Sequence, residues 1–456
     1  MINNKSPLST PDSYKGIKQA IWAYFFLLLF EGALRKWVLP GLATPLLIIR
    51  DPLALWIIIC VWQKGLMPKS LYLSVMVIIG ALGILTAMFL GHGNLAVAVF
   101  GARILLIQFP LIFAIGRIFN RDDVVKIGKV LLWISIPMAV LIALQFYSPQ
   151  SAWVNIGIGG DTEGGGFSGA MGFFRPPGTF SFTNGNSLFF GLVATFVIYF
   201  WLNPKEVSRY LLIMASLAVM MAIPLSISRT LMFTIGVSLV FAVVGASRNS
   251  EYAGKIILAS ILLFGCVFLL SQLSFIQTSM NVLNSRFENA SDSEGGLEGT
   301  LVTRYLGGMI RPFIDSSEQP FFGYGIGMGT SVGAQLVTGK VSYLIDEGEC
   351  GRLFGEMGLI MGLGIILVRL GLCFKLLIFS YKNLVGGDML PWILLSFGLL
   401  NIPQGQWSQP TSLGFSVLIG GLLFAAMRKT APGLIMSENV VFQEGTVSHP
   451  IDLELS

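Results

Sequence analysis

Long apolar stretches recur along the whole chain, separated mostly by short polar segments and in two places by long ones. About 20 apolar residues span a bilayer as an α-helix, since a helix satisfies its own backbone polar groups in lipid. The pattern predicts spans near 19–37, 44–63, 71–90, 95–116, 127–147, 187–202, 210–226, 231–246, 256–272, 353–373, 388–403 and 411–427. The fold class that follows is an all-α polytopic membrane protein of about 12 transmembrane helices in a single transmembrane domain over 1–456. The first run continues into Glu31, Arg35 and Lys36 without a small-residue cleavage site, so no cleavable signal peptide is expected.

Composition points the same way. Hydrophobic residues make up 54 % and charged residues 12 %, with a mean hydropathy of +0.76, where a soluble domain carries about 25 % charge. Basic residues then set orientation. With both termini cytoplasmic, most lysines and arginines fall in inner segments, whereas shifting the frame by one span puts most lysines outside, against the positive-inside rule. The formal +5 charge therefore reflects topology and says nothing for nucleic acid. This frame leaves an outer loop at 148–186, a large outer loop with short helices at 273–350 between the ninth and tenth spans, and a cytoplasmic tail at 430–456.

Cysteine and histidine narrow the chemistry. Of the four cysteines only Cys350 is placed to meet an oxidising compartment, so no disulfide framework is expected. The two histidines, His92 and His449, rule out a His-rich metal site. The loop GYGIGMG lacks the lysine and Ser/Thr of a phosphate loop, and close helix–loop packing explains its glycines better.

The polar residues that need a reason lie on the outer side. FFRPPGTFSFTNGNS (173–187) brings Arg175, Thr179, Asn184 and Asn186 to the start of the sixth span, where Asn184 or Asn186 can act as its N-cap. SISRT places Arg229 at a tight turn between two spans, and Arg304 lies on an expected surface helix. An arginine by itself is explained by snorkelling to lipid phosphates. Three from separate segments on one face fit an anionic head group, because the guanidinium fork pairs phosphate oxygens bidentately. In DEGECGRLFGEMG, Glu349, Arg352 and Glu356 share one helical face. Two readings stand: a buried Glu–Arg–Glu ion pair that makes burial tolerable, or a carboxylate, Glu349 or Glu347, acting as a base at the membrane–water boundary. Arg103 and the pair Arg50–Asp51 lie deep in the spans and read as helix–helix bridges.

Taken in order, RPPGTFSFTNGNS, SISRT, TRYLGGMIRPF with GYGIGMG, and GECGRLFGEMGLIMG resemble the O-antigen ligase and O-antigen polymerase superfamily of bacterial membranes. The resemblance runs from about the fifth span to the tenth. It implies a metal-independent, inverting glycosyltransferase without cofactor in the bacterial inner membrane. Its donor is an undecaprenyl-diphosphate-linked glycan, its acceptor a glycan or lipid, and its active side periplasmic, among membrane lipids and polysaccharide-assembly proteins. Carried onto matching positions, Arg175 and Arg229 contact the diphosphate, and Arg304 is a third such residue. Arg352, Glu356, Asn184 and Thr179 join them as substrate-binding residues. Ligases of that family carry a histidine just before the tenth span; here the stretch is Asp346-Glu347-Gly348-Glu349, which leaves a carboxylate as the base. FEGALRKW (30–37) is a subgroup feature with no role assigned. The rival classes are a secondary transporter or lipid-linked glycan exporter, whose marks are ionisable residues along a pathway and repeated halves, and a scaffold for polysaccharide assembly.

Overall fold

The described apolar runs fold as helices in the computed structural model, which describes residues 14–248, 254, 274–294, 307, 312–314, 319–339, 344–346 and 348–428. In chain order these are α1 (Lys15–Ala33), α2 (Arg50–Gln63), α3 (Leu71–Phe89), α4 (Leu95–Arg103), α5 (Phe109–Ile118) and α6 (Arg121–Tyr147). After a hairpin of β1 (Phe167–Ala170) and β2 (Phe173–Arg175) come α7 (Thr183–Leu202), α8 (Arg209–Leu225), α9 (Arg229–Ser247) and α10 (Ser274–Glu294). The chain closes with α11 (Ser331–Thr338), α12 (Glu349–Val385), α13 (Leu390–Asn401) and α14 (Pro410–Ala426). Each expected span coincides with helix except 256–272, which lies outside the described residues. Among the described residues, eight helices are long and apolar enough to cross a membrane, and α8, α13 and α14 are shorter apolar helices. The chain is an all-α polytopic membrane protein.

Local sequence sets the helix ends. Asn94 accepts from the amides of Ala96 and Val97 at the start of α4, and Asn120 forms a reciprocal capping box with Asp123 at α6. Packing sorts the helices. α7, α13 and α14 are buried nearly all round, with Phe189, Phe190, Phe196, Phe397 and Phe415 fully enclosed. α2 and α3 leave Leu55, Trp56, Trp62 and Leu82 outward, as lipid-facing surfaces require.

Two π-helical turns interrupt this regularity. Leu34–Val38 continues α1, and Ile104–Gln108 joins α4 to α5. A larger interruption falls at Gly358 in α12, whose φ of 71° and ψ of 177° belong to a region that is essentially glycine-only. A continuous helix would hold Glu349 and Arg369 about 30 Å apart, yet their side chains meet at 2.6 Å. The arm 349–357 therefore folds back along 359–385, and a Cβ on Gly362 would lie 3.0 Å from the Leu353 carbonyl. This corrects the expected span at 353–373, which is not one continuous helix, and it buries Arg369 fully against Glu349.

The glycine loop wedges between this folded-back arm and α4. The amides of Tyr324 and Gly325 donate to the carbonyls of Gly355 (2.7 Å) and Glu356 (3.0 Å). Gly101 of α4 meets the Gly327 backbone so closely that any Cβ would collide.

Candidate functional site: an arginine-bearing hairpin and two buried ion clusters

The first turn of α7 ties three segments together. Asn184 donates to Gln409 and to Ser412 Oγ (3.0 Å), at the entry to α14. Asn186 donates to the Pro176 carbonyl (3.3 Å). Ser187 donates to Ser228 Oγ (2.8 Å), and Ser228 in turn caps α9 by accepting from Leu231 N. The asparagines do not cap α7: its N-cap is Phe182, with no side-chain cap bond. Both asparagines already lie inside the helix, where their side chains reach sideways to neighbouring segments.

The loop preceding α7 is held from the other side by α1. Thr179 Oγ1 donates to the Leu29 carbonyl (2.7 Å), Lys36 to Gly178 O (2.7 Å), and Arg35 to Ser181 Oγ (2.9 Å). Gly32 lets the loop backbone cross α1 at contact distance, since a Cβ there would lie 2.5 Å from atoms of Thr179, Phe180 and Ser181. FEGALRKW is thus the clamp on RPPGTFS.

Arg175 and the turn before Arg229 meet around Gly169 of β1. A Cβ on Gly169 would lie 2.7 Å from Ile227 Cδ1 and 3.6 Å from Arg175 Cγ. Ile227 is buried at a φ of +47°, costly for a β-branched residue, and Arg229 opens α9 two residues later. A third arginine arrives from α10: Arg286 Nη1 donates to the Gly169 carbonyl (3.0 Å). Sequence reasoning placed Arg286 in the large loop but gave it no role. Nothing local marks it out. Arg304 and Glu347 lie outside the described residues.

Glu349, Arg352 and Glu356 form a buried chain. Arg352 Nη2 meets Glu349 Oε1 at 2.8 Å and its Nη1 meets Glu356 Oε2 at 2.6 Å. Arg369 Nη1 reaches the same Glu349 oxygen at 2.6 Å, and Trp407 N donates to the other at 2.9 Å. Glu356 also accepts from Gly329 N (2.8 Å) in the glycine loop. Arg369 donates further to the carbonyls of Ile402 (2.8 Å) and Gly405 (2.9 Å), and its guanidinium stacks 4.0 Å over Trp407. Glu349 is 6 % exposed with both oxygens engaged. Its surroundings are those of a buried ion pair rather than of a carboxylate facing water. The lock joins the folded-back arm, the glycine loop and the α13–α14 loop, and nothing in the local sequence around Arg369 or Trp407 marks them as its members.

A second cluster lies between α1, α2 and α4. Arg50 pairs with Glu31 (3.0 Å) and Arg103 with Asp51 (2.7 Å). Gln108 donates to the other Asp51 oxygen (2.6 Å). Compared with known proteins, the chain matches no family model and no curated sequence.

Proposed function

We propose that the protein is a bacterial inner-membrane glycosyltransferase that transfers or polymerises undecaprenyl-diphosphate-linked glycan on the outer face. The observation that carries this reading is the gathering of Arg175, Arg286 and the strained turn before Arg229 around one hairpin. A cation at a helix N-terminus opposes the helix dipole, so Arg229 and the amides of α9 together favour an anion there. In this reading a sugar hydroxyl of the acceptor, a second lipid-linked glycan or a lipid, attacks the donor's anomeric carbon with inversion. The bond from that carbon to the diphosphate oxygen breaks, the arginines stabilise the departing lipid diphosphate, and the hydroxyl proton passes to a carboxylate. Of the two candidate bases, Glu349 is held in the ion pair and Glu347 is the one proposed, and Glu349, Arg352 and Glu356 lock the arm that begins two residues after it in sequence. Asn184 and Thr179 position the arginine loop.

The test is transfer from a purified lipid-linked glycan by membranes carrying each variant. Removing one such cation lowers the rate roughly 100- to 1,000-fold, so Arg175→Ala or Arg229→Ala membranes working at the wild-type rate would overturn the assignment. A second reading, a lipid-linked glycan exporter, is favoured by the helix broken at Gly358 and the ion pairs deep in the bundle. Proteoliposomes that move the lipid-linked glycan across the bilayer without lengthening it would support that class instead.

A further inference from the structure

The cluster around Arg103 contains an unused binding edge. Arg103 is buried at 7 % exposure, and its Nη1 is spent on Asp51. Among the described residues, its Nε and Nη2 have no hydrogen-bond partner. These two N–H groups lie on the same side of the guanidinium and point in parallel, the fork that takes two oxygens of one carboxylate or phosphate. The Phe100 ring lies 4.0 Å from the guanidinium carbon and covers its face, and Nε and Nη2 are themselves buried.

The neighbours are otherwise matched. Both Asp51 oxygens are taken, by Arg103 and Gln108. Gln108 Oε1 accepts from Tyr24 (2.8 Å), and Arg50 divides its donors between Glu31 and the Pro410 carbonyl. The π-turn Ile104–Gln108 is what lets Arg103 and Gln108 converge on one aspartate, since residues five apart point about 140° apart on an α-helix and nearly align in an i→i+5 turn. Arg35 also approaches Glu31, at 3.6 Å, so Glu31 serves two arginines, Arg35 and Arg50, and Asp51 serves Arg103, and these five buried side chains together carry one more positive than negative charge. A buried charge without its counterion is strongly unfavourable, so the missing component is one negative charge.

We propose that the free edge of Arg103 binds a singly charged, two-oxygen oxyanion, a phosphodiester or a carboxylate. The site is separate from the hairpin arginines and does not rest on the transferase reading. Two sources carry this chemistry. One is the phosphodiester of a membrane lipid entering beside the outward-facing Leu55 and Trp56 of α2 and Val99 of α4. The other is a free anion.

The test uses full-length protein purified in neutral detergent and stripped of lipid. Its thermal midpoint is followed while bicelles containing phosphatidylglycerol, inorganic phosphate, or acetate are added. Arg103→Lys keeps the charge and the Asp51 pair but loses the fork; Asp51→Asn with Arg103→Gln removes the pair together and covers the case in which the lysine variant does not fold. The expected result is stabilisation of the wild type at concentrations at least tenfold lower than either variant needs. If phosphatidylglycerol alone does this, the source is lipid; if phosphate or acetate does, it is a free anion. Equal responses from wild type and variants to all three, or no response from any, would overturn the site.

Discussion

At the residue scale, the question the sequence leaves open is what Glu349 does. It sits between two arginines and a main-chain amide, so replacing it strands Arg369 and Arg352. Breaking a buried pair of this kind costs about 3–5 kcal/mol, whereas removing both partners costs far less. Glu349→Gln should therefore lower the thermal midpoint in detergent sharply, and Glu349→Gln with Arg369→Gln should recover most of the loss. A Glu349→Gln protein that melts like the wild type but transfers no glycan would restore the carboxylate to a base role. Gly32 makes a second residue-scale case. Its Cβ position falls 2.5 Å from loop backbone, and backbone cannot swing aside as a side chain can. Gly32→Ala should cost about 1–3 kcal/mol, read as a lower thermal midpoint.

At the scale of elements, the broken α12 carries the consequences. Gly358 combines a backbone conformation closed to L-residues with a Cβ direction that runs into the Phe321 carbonyl. Gly358→Ala should leave little folded protein, measured as monodisperse yield from membranes; a normal yield would mean that the two arms can separate without loss. The helical spans themselves were legible from apolar run length alone, as were the close-packed glycines of GYGIGMG. The fold-back was not. EMGLIMG reads as uninterrupted helix, since one glycine inside a helix costs only about 1 kcal/mol, and the cue that stops it is Phe321 and Phe322 arriving from elsewhere in the chain. The same holds for Asn184 and Asn186. Their residue type signals a cap, but with the helix beginning at Thr183 their amides bridge to Gln409 and Pro176 instead.

At the scale of the whole molecule, the prediction concerns orientation. Glu163 follows α6 on the hairpin side, while Lys382 lies near the end of α12 that packs by Arg248 and Tyr381; both are exposed. In a cysteine-free background, Glu163→Cys should react with a membrane-impermeant maleimide in intact spheroplasts. Lys382→Cys should react only after permeabilisation. The reverse pattern would invert the bundle and place the arginine hairpin in the cytoplasm.

Run length, glycine placement and the distribution of lysine and arginine come from the chain alone. They determined the class of the protein, the position of the described apolar spans, and the polar segments worth attention, because membrane insertion reads these as local sums over about 20 residues. Which polar residues face one another was decided only by the tertiary structure. Arg286 reaches the hairpin of Arg175, Arg369 crosses to Glu349, and the clamp of Lys36 closes on Gly178, over separations that no local pattern encodes. The physical reason is that a charge inside an apolar bundle must find a partner wherever packing brings one.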